Sequence, residues 1–280
     1  MIYENLPAED YFAGFFNGRD KPAIEAASNS GLKLIRRSPA HFKYKEEKEP
    51  TPAMAMGTHL HMALLEPERF AKHYIVATEA LDKRSAYYKG LVKDVGADRV
   101  LTMTDHRKLI GMQDAAYRNK RFAAYMKAPG RNELSVVTND PETGVQVKCR
   151  FDRMGDSIFA LDVKKCQDAR GVEFTKPITN YGYYQQVAFY SDVWFWATGE
   201  RLKEFPLFAI EEESPHGTMF HDLDEIALEL GRIHYREALN TYARCLESGV
   251  WPAYEDESEV TSVTSWAANE LLGDVDFGGL

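Results

Sequence analysis

Apolar residues recur every three to four positions through the first half of this 280-residue chain, the spacing of helices that bury one side. The first such stretch follows Ser28 or Ser30, either of which can cap a helix, with Leu32, Leu34 and Ile35 as its apolar face. Pro39 interrupts it, and His41 and Phe42 continue a second turn. Residues 49–53 (EPTPA) read as a break, and a helix from about Thr58 to Leu65 ends near Pro67. A short strand or loop at 74–78 and a polar, partly mobile connection over 79–100 come next. One long helix is expected over 104–128, on Leu109, Met112, Ala116, Phe122 and Tyr125, closed by Pro129-Gly130.

The period then changes to two. Glu133–Thr138 and Val145–Asp152 read as strands joined by NDPETG, a hairpin signal, and Ser157–Lys165 reads as a third. A helix from Thr179 to about Thr198, a strand over 205–212 and an amphipathic helix from Asp222 to Ser248 complete the pattern. The tail after Trp251 is acidic and weakly structured except around Ser265-Trp266-Ala267. Helices, a β-meander, helix, strand and helix in that order predict an α/β (α+β) fold with a central mixed sheet flanked by helices. One domain is expected over 1–280: a mainly helical part to 130, the sheet and its helix over 131–212, and a helix and tail over 213–280.

Strand alternation also sorts the polar residues. In GVQVKCRFD, Val145, Val147, Cys149 and Phe151 share one face, and Gln146, Lys148, Arg150 and Asp152 the other. In IFALDVK, Phe159, Leu161 and Val163 face the core while Asp162 and Lys164 share the opposite side. An antiparallel pairing can bring Asp152 beside Asp162, setting two carboxylates and an ammonium at one sheet edge. Phosphodiester hydrolysis uses such a set: oxygen ligands hold a hard cation, the cation polarises the phosphoryl oxygen, and a lysine stabilises developing charge. A lone Asp-x-Lys is weak evidence, since a solvated pair on an edge strand has the same sequence.

Neighbouring residues supply context. Gln186 and Tyr190 lie four apart on the following helix, with Tyr183 a turn earlier. Alone they read as members of an aromatic core; beside a carboxylate edge they read as contacts to the DNA backbone or a water network. His61 in GTHLHMALLEPE supplies an imidazole, with His59 as a competing candidate, and Glu133 supplies a further carboxylate that supports the ligands or a second metal.

Composition modifies this picture in one respect. The net charge of −9 argues against a nucleic-acid partner, but the charge is uneven. Residues 31–48 carry six Lys/Arg against two Glu and 83–93 carry four against none, while acids gather in 204–229 and 254–259. A basic groove inside an acidic shell is compatible with that distribution. Three scattered cysteines provide neither a disulfide framework nor a zinc site. No apolar run is long enough for a membrane span and the N-terminal residues are acidic, so a cytoplasmic, membrane-free protein is expected.

Taken in order, SGLKLIRRSPAHF, GTHLH with LLEPERF, KCRFD, LDVK and QVAFY resemble the RecB-like branch of PD-(D/E)XK nucleases. Within it they resemble the RecE (exonuclease VIII) family; WPAY at 251–254 and SWA at 265–267 are similar to that family's C-terminal end. The cysteine cluster of iron–sulfur relatives is missing. The resemblance implies that His61, Asp152, Asp162 and the Val163 carbonyl ligate Mg²⁺, with Mn²⁺ also compatible. It implies that Lys164 is the catalytic lysine, supported by Gln186 and Tyr190. It further implies a 5′→3′ exonuclease on double-stranded DNA ends, a homo-oligomeric ring (trimer or tetramer) and a single-strand-annealing partner. Arg36, Arg37 and Ser38 are then candidates to hold a terminal 5′-phosphate. Lys83 and Arg84 become candidates for an arm gripping phosphates, with Tyr87 or Tyr88 stacking on an unpaired end. A structure-specific or restriction-like endonuclease and a non-catalytic DNA-binding module are the alternatives.

Overall fold

The computed structural model describes residues 1–4, 6, 10–11, 26–46, 49–254 and 260–262. After a short strand, β1 (Ile2–Tyr3), Ser28 caps α1 (Asn29–Arg37) by accepting from the Gly31 N–H. Ser38 is extended, ends α1 and caps α2 (Pro39–Lys43). Thr51 caps α3 (Pro52–Leu65), which therefore begins before Thr58: part of the expected break is a cap followed by proline in the first turn. Next come α4 (Pro67–His73) and β2 (Ile75–Ala77). The segment 79–100 is not an open connection, because Ser85 caps α5 (Ala86–Val95) ahead of β3 (Val100–Thr102).

The single helix expected over 104–128 is two, α6 (Met103–Arg118) and α7 (Lys120–Lys127). Asn119 between them is extended, and its side chain accepts from the N–H groups of Arg121 and Phe122. Then follow β4 (Gly130–Asn139), β5 (Gln146–Gly155) and β6 (Phe159–Cys166). The helix expected from Thr179 is also divided: α8 (Gly171–Asn180) precedes α9 (Tyr183–Thr198), with Gly182 at φ 64° in the left-handed region between them. After β7 (Leu207–Glu211) come β8 (Thr218–His221), which lacks a clear sequence signal, and α10 (Glu225–Ser248), capped by Asp224.

Among the described residues the main sheet has the order β1-β4-β5-β6-β7-β8, with β6–β7 its one parallel strand pair, so it is the mixed sheet expected. A small parallel pair, β2–β3, lies apart. One core packs Val147, Cys149 and Phe151 against Phe189 and Val193 of α9, Tyr235 and Leu239 of α10, and Leu32 and Ile35 of α1. A second packs Leu161, Val163, Phe208 and Ile210 against α3, α6 and α7. The alternation within β7 divides it: Phe208 and Ile210 enter that second core, while Leu207 and Ala209 pack with Phe174 and Val187. Burial on both sides makes β6 and β7 a rigid support for polar residues placed where β6 loses its partner. Among the described residues no helix is long and apolar enough to cross a membrane. The Ser265-Trp266-Ala267 stretch and most of the acidic tail lie outside the described residues.

Candidate metal centre and cleft

β5 pairs with β6 at Arg153–Leu161, Met154–Ala160 and Gly155–Phe159, whereas from Asp162 onward β6 pairs with β7. Continuing the first register by one residue sets Asp152 opposite Asp162. The strands part there, forming a fork with one carboxylate on each arm. The Val163 N–H faces this gap and donates to Asp152 Oδ2 at 2.7 Å. Both aspartates are buried, Asp152 to 8% and Asp162 to 3% residual exposure.

His61 reaches the fork from α3. Its Nδ1 lies 3.4 Å from Asp152 Oδ1 and its Nε2 lies 3.0 Å from the Val163 carbonyl oxygen. His59, two residues earlier, instead meets the Tyr74 hydroxyl at 2.8 Å, and burial pushes its pKa down to about 4. Glu133 sits at φ 52° on β4 and its Oε2 accepts from Arg150 Nε at 2.5 Å. Ligand atoms of His61, Glu133 and Asp152 all lie within 4.8 Å of one another; Asp162 is not part of that cluster.

Asp162 is held from the other side. Gln186 donates through Nε2 to Asp162 Oδ1 at 2.5 Å and accepts from Lys164 Nζ at 3.1 Å. Lys164 Nζ is 2.6 Å from Asp162 Oδ2 and 4.5 Å from the centre of the Tyr183 ring. That Oδ2 is buried and forms no hydrogen bond of good geometry, despite its contact with the ammonium. Tyr190 lines the same cleft and stands edge-on to Phe151.

The charges are strongly linked. Burial disfavours the His61 imidazolium, but Asp152, Glu133 and Asp162 outweigh it and raise the pKa to about 9. Burial likewise opposes ionisation of Asp152, yet His61 and Lys164 hold its pKa below the ordinary value. Burial, aided by Asp152, raises Asp162 despite Lys164, and raises Glu133 despite Arg150. The imidazolium thus gives positive charge to Asp152 Oδ1 and the Val163 carbonyl, oxygens of the kind that bind a hard cation. The donor set of carboxylates, one carbonyl and one imidazole, with a buried carboxylate oxygen short of hydrogen bonds, fits a divalent cation.

The cleft has a volume of about 430 Å³, and Lys33, Lys45, Lys148 and Arg150 help to line it. Basic residues thus gather at this cleft, beside its carboxylates, despite the net negative charge of the chain. The sequence placed Lys148 and Arg150 on the Asp152 face without giving them a role; strand alternation was their only signal. Lys148 Nζ donates to the Tyr11 carbonyl at 2.7 Å, and Arg150 to that of Leu6 at 3.1 Å. Both therefore also hold Leu6 and Tyr11 beside the cleft.

The expected DNA contacts are placed less uniformly. Arg36 and Arg37 are exposed on the last turn of α1, bonded to Gln185 Oε1 and the Tyr254 hydroxyl, and neither lines the cleft. Ser38 is buried, its hydroxyl already engaged by the His41 N–H and ring, so phosphate would have to displace a helix cap. Lys83 and Arg84 precede α5 outside the cleft lining, and Arg84 pairs with Asp82. Tyr88 is buried with its hydroxyl on the Val100 carbonyl, whereas Tyr87 is exposed.

Residues 28–264 match the family described as a PDDEXK-like domain of unknown function (DUF3799). No curated protein matches the chain. Among solved structures, a chain from Eubacterium rectale provisionally described as an exonuclease aligns over 97% of this chain and 99% of its own, with a TM-score of 0.63 and 13% identity. That likeness is one of fold. An alkaline exonuclease (LHK-Exo) from Laribacter hongkongensis aligns over 65% of this chain and 97% of its own at 10% identity, but its TM-score of 0.29 carries no argument. The family match spans most of the sequence and includes every residue of the fork, and the chain belongs to the PDDEXK-like domain family DUF3799, with the PD-(D/E)XK nuclease fold.

Proposed function

We propose that the protein is a metal-dependent DNA exonuclease that resects double-stranded ends 5′→3′, leaving 3′ overhangs for strand annealing. The observation that carries the nuclease reading is the fork, where Asp152 and Asp162 flank a gap closed by His61 and the Val163 carbonyl, with Lys164 beside them. A divalent cation held there would polarise a phosphoryl oxygen and acidify a bound water. Lys164, fixed by Asp162 and Gln186, places an ammonium where negative charge develops. The basic lining draws the DNA backbone into a cleft that the acidic remainder of the surface repels. Its exonuclease character, its polarity, its choice of Mg²⁺ or Mn²⁺, and a ring-shaped homo-oligomer with an annealing partner rest on the RecE resemblance. The provisional description of the Eubacterium rectale structure agrees with the exonuclease part.

Linear and covalently closed duplexes incubated with Mg²⁺ test this reading. Linear DNA labelled at either 5′ end should release label first, and closed circles should survive. Degradation of circles transfers the site to an endonuclease. Equal activity of Lys164→Ala and wild type removes the catalytic assignment.

A further inference from the structure

The last turn of α1 and helix α2 form a second groove, of about 620 Å³, lined by Leu34, Arg37, Ala40, His41, Tyr44, Lys45 and Glu46. Lys45 lines both this groove and the cleft of the metal centre, so the two adjoin at that side chain. Rings and cations sit side by side along it, with Tyr254 flanking the lining residues Arg37 and His41. Tyr44 is 72% exposed and Tyr254 is 69% exposed. The Tyr254 ring stands edge-on to His41 at 5.7 Å, and its hydroxyl accepts from Arg37 Nε at 3.5 Å. Lys43 lies 5.3 Å over Trp251 and Lys45 lies 4.8 Å over Phe42, so both cations are held against aromatic rings at the groove's edge.

Buried hydrophobic packing explains Phe42 and Trp251, which stack on each other against Tyr242. It does not explain the outward rings of Tyr44 and Tyr254. Exposed aromatics interleaved with Lys and Arg are the composition of single-strand tracks, where bases stack on rings and cations follow the phosphates. A duplex presents no unstacked bases for such rings. We propose that this groove binds the single-stranded DNA flanking the end being processed, with Tyr44 and Tyr254 as stacking platforms and Arg37 and Lys45 as phosphate contacts. The inference rests on the nuclease reading above for its substrate, and it assigns that substrate's unpaired strand a place outside the metal centre.

Fluorescence anisotropy with labelled (dT)20 and a 20-base-pair duplex, in EDTA so that nothing is cleaved, tests it. Wild type should prefer the single strand. Tyr44→Ala should weaken (dT)20 binding by at least about fivefold, the loss of one stacked base, whereas Tyr44→Trp should retain it. Replacing Arg37 and Lys45 together by glutamine should flatten the dependence of log affinity on log salt by roughly 1.4, at about 0.7 per phosphate contact. The proposal is overturned if wild type does not bind (dT)20, if Tyr44→Ala binds as wild type does, or if the Ala and Trp variants lose affinity equally. Cleavage of linear duplex by wild type and Lys164→Ala is measured separately with Mg²⁺. A failure of the nuclease reading appears there, and a failure of the groove appears only in the EDTA titration.

Discussion

The backbone N–H of Val163 donates to Asp152 Oδ2 at 2.7 Å across the gap where β5 and β6 have ceased to pair. A side chain thus replaces the missing strand bond, and one carboxylate serves both the fold and the site. Asp152→Asn separates these duties, because the amide oxygen can still accept from Val163 while the negative charge is lost. The variant should remain folded, with a lower melting temperature at neutral pH because the pairing with the His61 imidazolium is lost. Divalent cation binding, followed by calorimetry, should fall by at least about 100-fold, beyond the 10–100-fold cost of disturbing an outer contact, and cleavage should fall with it.

In the proposed metal site, proton and cation would compete for His61. With its pKa raised to about 9, the ring is mostly protonated at neutral pH in the metal-free protein, so metal binding must expel a proton. Cation affinity should rise by up to about tenfold per pH unit through the neutral range and level off above pH 9. The metal-free fold shows the opposite trend. The stability supplied by the imidazolium is complete below the unfolded value of about 6.5 and is lost as pH climbs through 9. Mg²⁺ titrations at several pH values should show the slope in wild type and a flatter profile in His61→Gln; an equal slope in both rejects His61 as the competing group.

Gln186 touches both Asp162 and Lys164, so it positions them without having to meet the phosphate itself. Gln186→Leu should reduce cleavage by about 10–100-fold, and Lys164→Ala by about 10²–10³-fold. If Gln186 acts through the lysine, the double variant should lose no more than Lys164→Ala alone. Additive losses in single-turnover rates would show that Gln186 has a separate role.

Much of this site was legible because strand alternation depends only on parity. Val147, Cys149 and Phe151 point to one core and Leu161 and Val163 to the other, so the Asp152 and Lys164 faces follow. The fork was not legible, since alternation within each strand says nothing about where the pairing of two strands stops, and β5–β6 pairing stops at Arg153–Leu161. Helix α8 escaped because Pro177 suggests a break, whereas it sits in a helix whose next residues still close the final turn. The basic run at 83–93 looked like an open arm because its only helix signal was Ser85, a cap that many loops contain.

The hairpin after β4 provides a test of stability remote from the site. Asp140 is fully buried in the NDPETG turn, where its Oδ2 accepts from the Thr143 N–H and hydroxyl and from Arg236 of α10. Burial opposes its ionisation, but these bonds hold its pKa below the usual carboxylate value. A depressed acid stabilises the fold above its unfolded pKa, about 3.9, and that contribution is lost as pH falls through the folded value. Asp140→Asn should cost about 1.5–3 kcal/mol near neutral pH, the range for a charged hydrogen bond. In urea denaturation the gap between the two proteins should stay constant near neutral pH and narrow only as pH falls below the ordinary carboxylate value; a gap that does not narrow in acid means the charge was not responsible.

Gly231 links helix packing to the chemistry. A Cβ on Gly231 would lie 2.5 Å from the Tyr184 carbonyl oxygen and 2.8 Å from the Ala188 Cβ, so α10 can approach α9 this closely only without a side chain. Gly→Ala gains roughly 0.8–1 kcal/mol of helix propensity, but forcing atoms into a filled interface costs roughly 1–3 kcal/mol. The overlap here is with backbone, which cannot rotate aside, so the penalty should win. Gly231→Ala should lower the melting temperature by a few degrees, at about 2–4 °C per kcal/mol for a protein of this size. Because α9 also carries Gln186 and Tyr190, its displacement should weaken the hold on Asp162 and Lys164. The expected result is a lower cleavage rate at saturating DNA, measured well below the melting temperature, with DNA affinity in EDTA little changed. A stabilised protein with full activity would mean that the two helices can separate without cost to the site.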